Sequence, residues 1–148
     1  GVCWAPESLY AVDLTHRSSY WQIVEGDVRN GLCPGGASTQ ILPRLLGRRR
    51  AIEFLLLSEE ISAQEAYRIG LVNKVVPLSQ LMPETEALAK KMLSRPLSSI
   101  KLVKMALTKA QDLPLKEGLE IEQWYSSISV QSEAFQSFYQ KFLAKKKA

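Results

Sequence analysis

Few side chains in this 148-residue sequence have types and spacing that could do chemistry. His16 is the one histidine, and its neighbours Thr15, Arg17 and Ser18 supply neither a catalytic triad nor a second metal ligand. It reads as a surface or core histidine. No Cys/His/Asp/Glu cluster has the spacing of a zinc site, so no metal is expected. Cys3 and Cys33 read as small buried thiols in a reducing compartment. Pro34-Gly35-Gly36 would let a backbone come close to a ligand, yet the segment fits neither G-x-x-x-x-G-K-[ST] nor G-x-G-x-x-G. By themselves these side chains fix no reaction.

The elements that must position them centre on Asp27 to Pro77. A turn, Cys33-Pro34-Gly35-Gly36-Ala37-Ser38, feeds a helix predicted through Thr39, Gln40 and Leu42 to Gly47. A second helix follows, with Ala51, Phe54, Leu55 and Leu56 as its apolar side. Ser62 stands three residues before Glu65, the spacing of a capping box at the start of a third helix. Gly70 suits the position just past that helix, where the chain turns left-handed. Leu71 to Val76 reads as a short extended segment stopped by Pro77. From Leu78 onward four amphipathic helices are predicted. The last runs from Glu133 to Lys147 and carries Phe135, Phe138, Tyr139 and Phe142 on one face, as a core or an oligomer interface would require.

Composition bounds the function. The chain is 46% hydrophobic and 23% charged, with a net charge of +4. Much of that charge sits in Arg48-Arg49-Arg50 and Lys145-Lys146-Lys147, without the basic stripe and interleaved aromatics of a nucleic-acid binder. No nucleic-acid partner is expected. No apolar run approaches the ~18 residues of a membrane span, and GVCWAPES lacks the basic and apolar regions of a secretory signal. The expected location is intracellular, cytoplasmic or mitochondrial.

The segments Gly31–Gly47, Arg50–Leu56 and Ile61–Pro77 resemble the crotonase family, the enoyl-CoA hydratases and isomerases. The family carries runs close to G-L-x-P-G-G-x-x-T-Q-x-L-P-R-L-x-G, R-A-x-E-x-L-L and I-x-A-x-E-A-x-x-x-G-L-V-x-x-V-V-P, and this sequence matches them at fixed spacing. The resemblance implies an α/β crotonase-like (ββα spiral) fold, here truncated to the C-terminal half of a family member. Such a chain is predominantly α-helical with a few short strands. Residues 1–77 would be the active-site part of the core, and 78–148 the helical C-terminal trimerisation region. A face meant to cover the rest of the sheet would be left exposed.

Counting back from Gly31, the resemblance puts Glu7 and Asp27, 20 residues apart, on the family's two catalytic carboxylates. Hydrating a conjugated thioester needs a base for water and an acid for the α carbon, and two carboxyl groups can share that work. Trp4 falls where a backbone N–H serves the enolate oxygen. Asp27 and Gly26 stand where the family has Glu and Pro. Gly31, Leu32, Pro34, Gly35 and Gly36 would shape the acyl pocket, and Lys141 would meet a coenzyme A phosphate. The implied function is addition of water to, or a shift of, a double bond in an acyl-CoA substrate. No cofactor is implied beyond the coenzyme A thioester itself, and the chain would form a homo-oligomer, a trimer or dimer of trimers. The alternative is a catalytically inactive partial crotonase acting as an oligomerisation or interaction module.

Overall fold

A computed structural model describes residues 2–3, 15–19 and 21–146, with side chains for 15–19 and 21–144. The chain divides into two compact units, Gly1–Glu86 and Ala87–Ala148.

Among the described residues, all the strands lie in the first unit. β1 (Val2–Cys3) runs parallel to β3 (Gln22–Ile23), which pairs antiparallel with β4 (Ile61–Ser62). β2 (His16–Ser18) and β5 (Lys74–Val76) form a separate parallel pair, with His16 opposite Lys74 and Ser18 opposite Val76. Parallel neighbours need a long crossover. Here it is the whole stretch between them, including α1 (Ser38–Leu46), α2 (Arg48–Leu57) and α3 (Ala63–Arg68). Asn73 fastens the end of this crossover. Its side-chain Oδ1 accepts from the Thr15 N–H at 2.7 Å, and its own N–H donates to the Thr15 carbonyl at 2.8 Å.

Helical periodicity explains the core. Ser38, Leu42 and Leu46 recur every four residues on α1 and are buried. On α2 the buried set is Ala51, Phe54 and Leu55. Leu56, expected on that apolar side, is 62% exposed. It lies about 100° further round the helix than Leu55, beyond the stripe that meets α1. Ile23, Leu42, Phe54, Leu55, Ala66, Leu71 and Val72 belong to one core cluster.

Helix α3 starts and stops as expected. The Glu65 N–H donates to Ser62 Oγ at 3.1 Å, and Gly70 sits at φ +83°. Only half of the capping box is made, because the Glu65 carboxylate takes two hydrogen bonds of 2.6 Å from Arg68 instead. The extended segment after Gly70 is shorter than expected. Leu71 and Val72 are buried in the core cluster, their N–H groups donate to the Ala66 carbonyl, and the strand begins only at Lys74. Arg48–Arg50 are solvated but open α2, at the helix end where cations are disfavoured.

α4 (Leu78–Leu93) begins in the first unit. Glu84 there accepts from Lys74 Nζ of β5 at 2.6 Å, and Thr85 Oγ1 lies 3.5 Å from His16 Nδ1. The hydrogen bond and charge of Lys74 hold the Glu84 carboxyl below its ordinary value, with a smaller contribution from His16. A depressed carboxyl stabilises the fold above its unfolded pKa, and that contribution is lost as pH falls through the folded value. Lys74→Gln should therefore lower the urea midpoint slightly at neutral pH. The difference from wild type should vanish as pH falls below about 4.5. A difference that persists at pH 3 would mean that Lys74 acts through packing instead.

The second unit continues with α5 (Leu97–Ala110), α6 (Leu115–Val130) and α7 (Glu133–Lys146). α5 packs on α6, which also contacts α7. None of the described residues from 87 to 144 is buried. Trp124 is 72% exposed, and Phe135 and Tyr139 stack 5.9 Å apart on an open face of α7. Among the described residues no helix is long and apolar enough to cross a membrane.

Candidate active site

Asp27 lies half-buried beyond β3, at the head of a tight turn. Its carbonyl accepts the N–H groups of Asn30 (3.0 Å) and Leu32 (2.9 Å), and Val28–Asn30 make a single 3-10 turn between them. Gly31 ends that turn at φ +78°, a conformation that glycine adopts without a Cβ clash. Arg29 hydrogen-bonds the carbonyl of Ser58 at the end of α2, which ties the turn to the helical layer.

The chain then swings out and returns. Leu32 is 61% exposed, Pro34 is buried, and Gly35 and Gly36 are exposed. Cys33 is an exposed free thiol rather than the buried one expected, because it sits on the outer bend of this loop. Ala37 precedes α1 at φ +68°, ψ 1°. A left-handed alanine costs about 1–2 kcal/mol, offset in part by the chain entropy that glycine would lose. Ala37→Gly should therefore raise stability by about 0.5–1 kcal/mol, read as a higher melting temperature. An unchanged or lower value would show that the loop relaxes around the alanine at no cost.

Ser38, the first residue of α1, is fully buried and donates its hydroxyl to Glu25 Oε2 at 3.0 Å. Glu25 is itself only 2% exposed. The bond joins the segment leading to Asp27 with the helix that ends the loop. Sequence reasoning named Ser38 as part of the turn but missed Glu25 and the bond between them. A glutamate after Ile23-Val24 carries no local signal of burial, since it is the tertiary fold that brings a serine 13 residues later against it. Ser38→Ala removes this hydrogen-bond donor inside the protein and should cost about 1–3 kcal/mol by urea denaturation. A loss well under 1 kcal/mol would show that the carboxylate is held by its other surroundings.

Of the residues singled out from the sequence, Asp27, Gly31, Leu32, Pro34, Gly35 and Gly36 occupy one continuous loop between β3 and α1. Lys141 lies exposed on α7, in the other compact unit. Trp4 and Glu7 lie outside the described residues. Within the described residues, the arrangement offers a half-buried carboxylate beside a glycine-rich backbone, suited to proton transfer next to a ligand held by main-chain groups.

The sequence matches the enoyl-CoA hydratase/isomerase family over residues 10–148. It is 38% identical over 96 residues to the crotonyl-CoA hydratase of Syntrophomonas wolfei, covering 65% of this chain and 37% of that protein. It is 31% identical over 116 residues to the 1,2-epoxyphenylacetyl-CoA isomerase of Escherichia coli, covering 78% of this chain and 44% of that one. Subunit I of an enoyl-CoA hydratase from Geobacillus kaustophilus HTA426 superposes with a TM-score of 0.90 at 35% identity. That superposition covers 97% of this chain and 56% of the other. The chain thus spans about half the length, or less, of these relatives. With the family match running from residue 10 to the last, the chain belongs to the enoyl-CoA hydratase/isomerase family, and its fold is a partial crotonase-like one, mostly helical with a few short strands.

Proposed function

We propose that the chain is the C-terminal, active-site half of an enoyl-CoA hydratase or isomerase, and that it acts on an acyl-CoA thioester inside the cell, in the cytoplasm or mitochondrion. In the hydratase form of the reaction, one carboxylate of the Asp27–Glu7 pair takes a proton from water. The resulting hydroxyl attacks the β carbon, and the double-bond electrons move onto the thioester oxygen as an enolate. The other carboxyl, protonated, then gives its proton to the α carbon. A backbone N–H at Trp4 would donate to the enolate oxygen. The loop Gly31–Gly36 would hold the acyl chain, with Lys141 at a coenzyme A phosphate. Residues 1–77 would form the reacting part, and 78–148 the helical part that builds a homotrimer.

The observation that most supports this reading is the Asp27 turn. A carboxylate heads a turn held by backbone hydrogen bonds from Asp27 to Leu32, in a loop that continues through Pro34-Gly35-Gly36 into α1, within a chain of this family. The test is crotonyl-CoA hydration by the purified chain, followed as loss of conjugated-thioester absorbance, with Asp27→Ala alongside. The expected result is turnover that falls by about 100-fold or more in the variant. Equal turnover in both would remove Asp27 from the mechanism.

A second reading, a non-catalytic interaction module, is favoured by the open apolar faces of α5–α7. A folded chain that assembles but neither turns over nor binds coenzyme A thioesters would establish it.

A further inference from the structure

The loop that carries Asp27 is open along most of its length and fixed at its neck. From Arg29 to Ala37 every residue but Pro34 is exposed. The core sets the two sides of the neck. On one side fully buried Ile23 leads into Val24 and Glu25, and on the other Ser38 shares the buried stripe of α1 with Leu42 and Leu46. Ile23, Leu42 and Leu46 belong to the same cluster. Where the sides meet, Ser38 Oγ donates to Glu25 Oε2 at 3.0 Å, and neither residue is more than 2% exposed.

A buried carboxylate is a costly way to join two segments, since an apolar contact of the same size is often as stable or more so. What a satisfied buried hydrogen bond adds is direction, because it admits a narrow range of distances and angles. Glu25 has other interactions as well; the bond to Ser38 is what ties its carboxylate to α1. Gly26 alone separates Glu25 from Asp27, and a Cβ built on it meets nothing within 4 Å, so no packing steadies that link. Downstream, Arg29 ties the turn to the Ser58 carbonyl. The Asp27 turn thus hangs between two fixings, with Glu25–Ser38 as the upstream one.

We propose that the Glu25–Ser38 hydrogen bond positions Asp27: by fixing the neck it holds the turn, and with it the carboxylate, where a proton passes to or from the ligand. The proposal rests on the reading of Asp27 as a reacting carboxylate. Glu25 and Ser38 are positioning residues, both buried, and act through Asp27. A displacement of about 1 Å at a reacting group can cost on the order of 100-fold in rate, so a loosened neck is felt in kcat.

The test combines crotonyl-CoA kinetics with backbone NMR order parameters on the full chain. The variants are Ser38→Ala, Glu25→Gln, Asp27→Ala and Asp27→Ala/Ser38→Ala, each shown to be folded by circular dichroism and assayed well below its unfolding midpoint. Ser38→Ala should lower kcat by about tenfold or more and leave KM within about twofold. Glu25→Gln, which keeps an acceptor for the Ser38 hydroxyl, should lose less than about threefold. The double variant should be no slower than Asp27→Ala, because the bond acts through Asp27. In Ser38→Ala the order parameters of residues 26–32 should drop by about 0.2, towards the range of flexible backbone, while α2 keeps its values. A merely structural bond would lower stability but leave the folded-state order parameters unmoved, and its loss in rate would multiply with that of Asp27→Ala. Unchanged kcat in Ser38→Ala, a loss confined to KM, equal losses in Ser38→Ala and Glu25→Gln, a double variant slower than Asp27→Ala, or unmoved order parameters would each overturn the proposal. Absent turnover in the wild type, or full turnover in Asp27→Ala, would instead overturn the reading of Asp27, and the order parameters would then decide by themselves whether the bond holds the turn.

Discussion

Asp27→Glu should raise crotonyl-CoA hydration by about 100-fold. The proposed site has aspartate where the family resemblance calls for glutamate, and the missing methylene draws the carboxylate back by about 1.5 Å. A misplacement of about 1 Å at a reacting group can cost on the order of 100-fold in rate. The longer side chain should enter without rebuilding the loop. The hydrogen bonds that shape the turn run from the main-chain carbonyl of Asp27 to Asn30 and Leu32, and no side-chain cap is made. The side chain can therefore change while the turn stays. Half-burial also leaves a path for one more methylene. The measurement is initial rate at saturating and at low crotonyl-CoA, so that kcat and KM separate. A gain in kcat with KM nearly fixed is the expected signature of better proton transfer. If the glutamate variant is no faster and Asp27→Ala is no slower, Asp27 is a turn residue and the reacting carboxylate lies elsewhere.

Leu42→Ala should cost about 2–5 kcal/mol, the range for emptying a leucine site in a core that cannot collapse. Leu42 is completely buried at the centre of the α1 stripe and belongs to the cluster with Ile23, Phe54, Leu55 and Ala66. That cluster joins side chains from β3, α2 and α3 to it, so relaxation at one of them opens space at the others. Against a typical total stability of about 5–15 kcal/mol, the loss should shift the urea midpoint of the first unit strongly. Function should follow, because α1 anchors the far end of the Asp27–Ser38 loop. Leu45→Ala is the matched control. It lies on the same helix, is 45% exposed, and should change stability by no more than about 0.5 kcal/mol. Equal effects of the two substitutions would mean that α1 does not pack as described.

Much of the local structure was legible in the residues. Apolar spacing marked α1 and α2, Ser62 and Glu65 marked the start of α3, and Gly70 marked its end. These signals are written into neighbouring residues because caps and helical stripes are satisfied within one or two turns of chain. The family, too, was readable from fixed motifs between Gly31 and Pro77, and the match over residues 10–148 agrees with it.

Other features needed the third dimension. The sequence alone determined which helices form, where the loop of Asp27 and the glycines falls, and what chemistry its side chains permit. Only the tertiary structure decided that Leu56 and Cys33 face outward, that Leu71 and Val72 enter the core ahead of a shortened strand, and that Asn73 clasps Thr15 across 58 residues. It also decided that Glu25 is buried against Ser38. The physical reason is that burial and pairing belong to surfaces made by distant segments. A hydrophobic or charged residue states what it can bury or bind, and the fold supplies the partner.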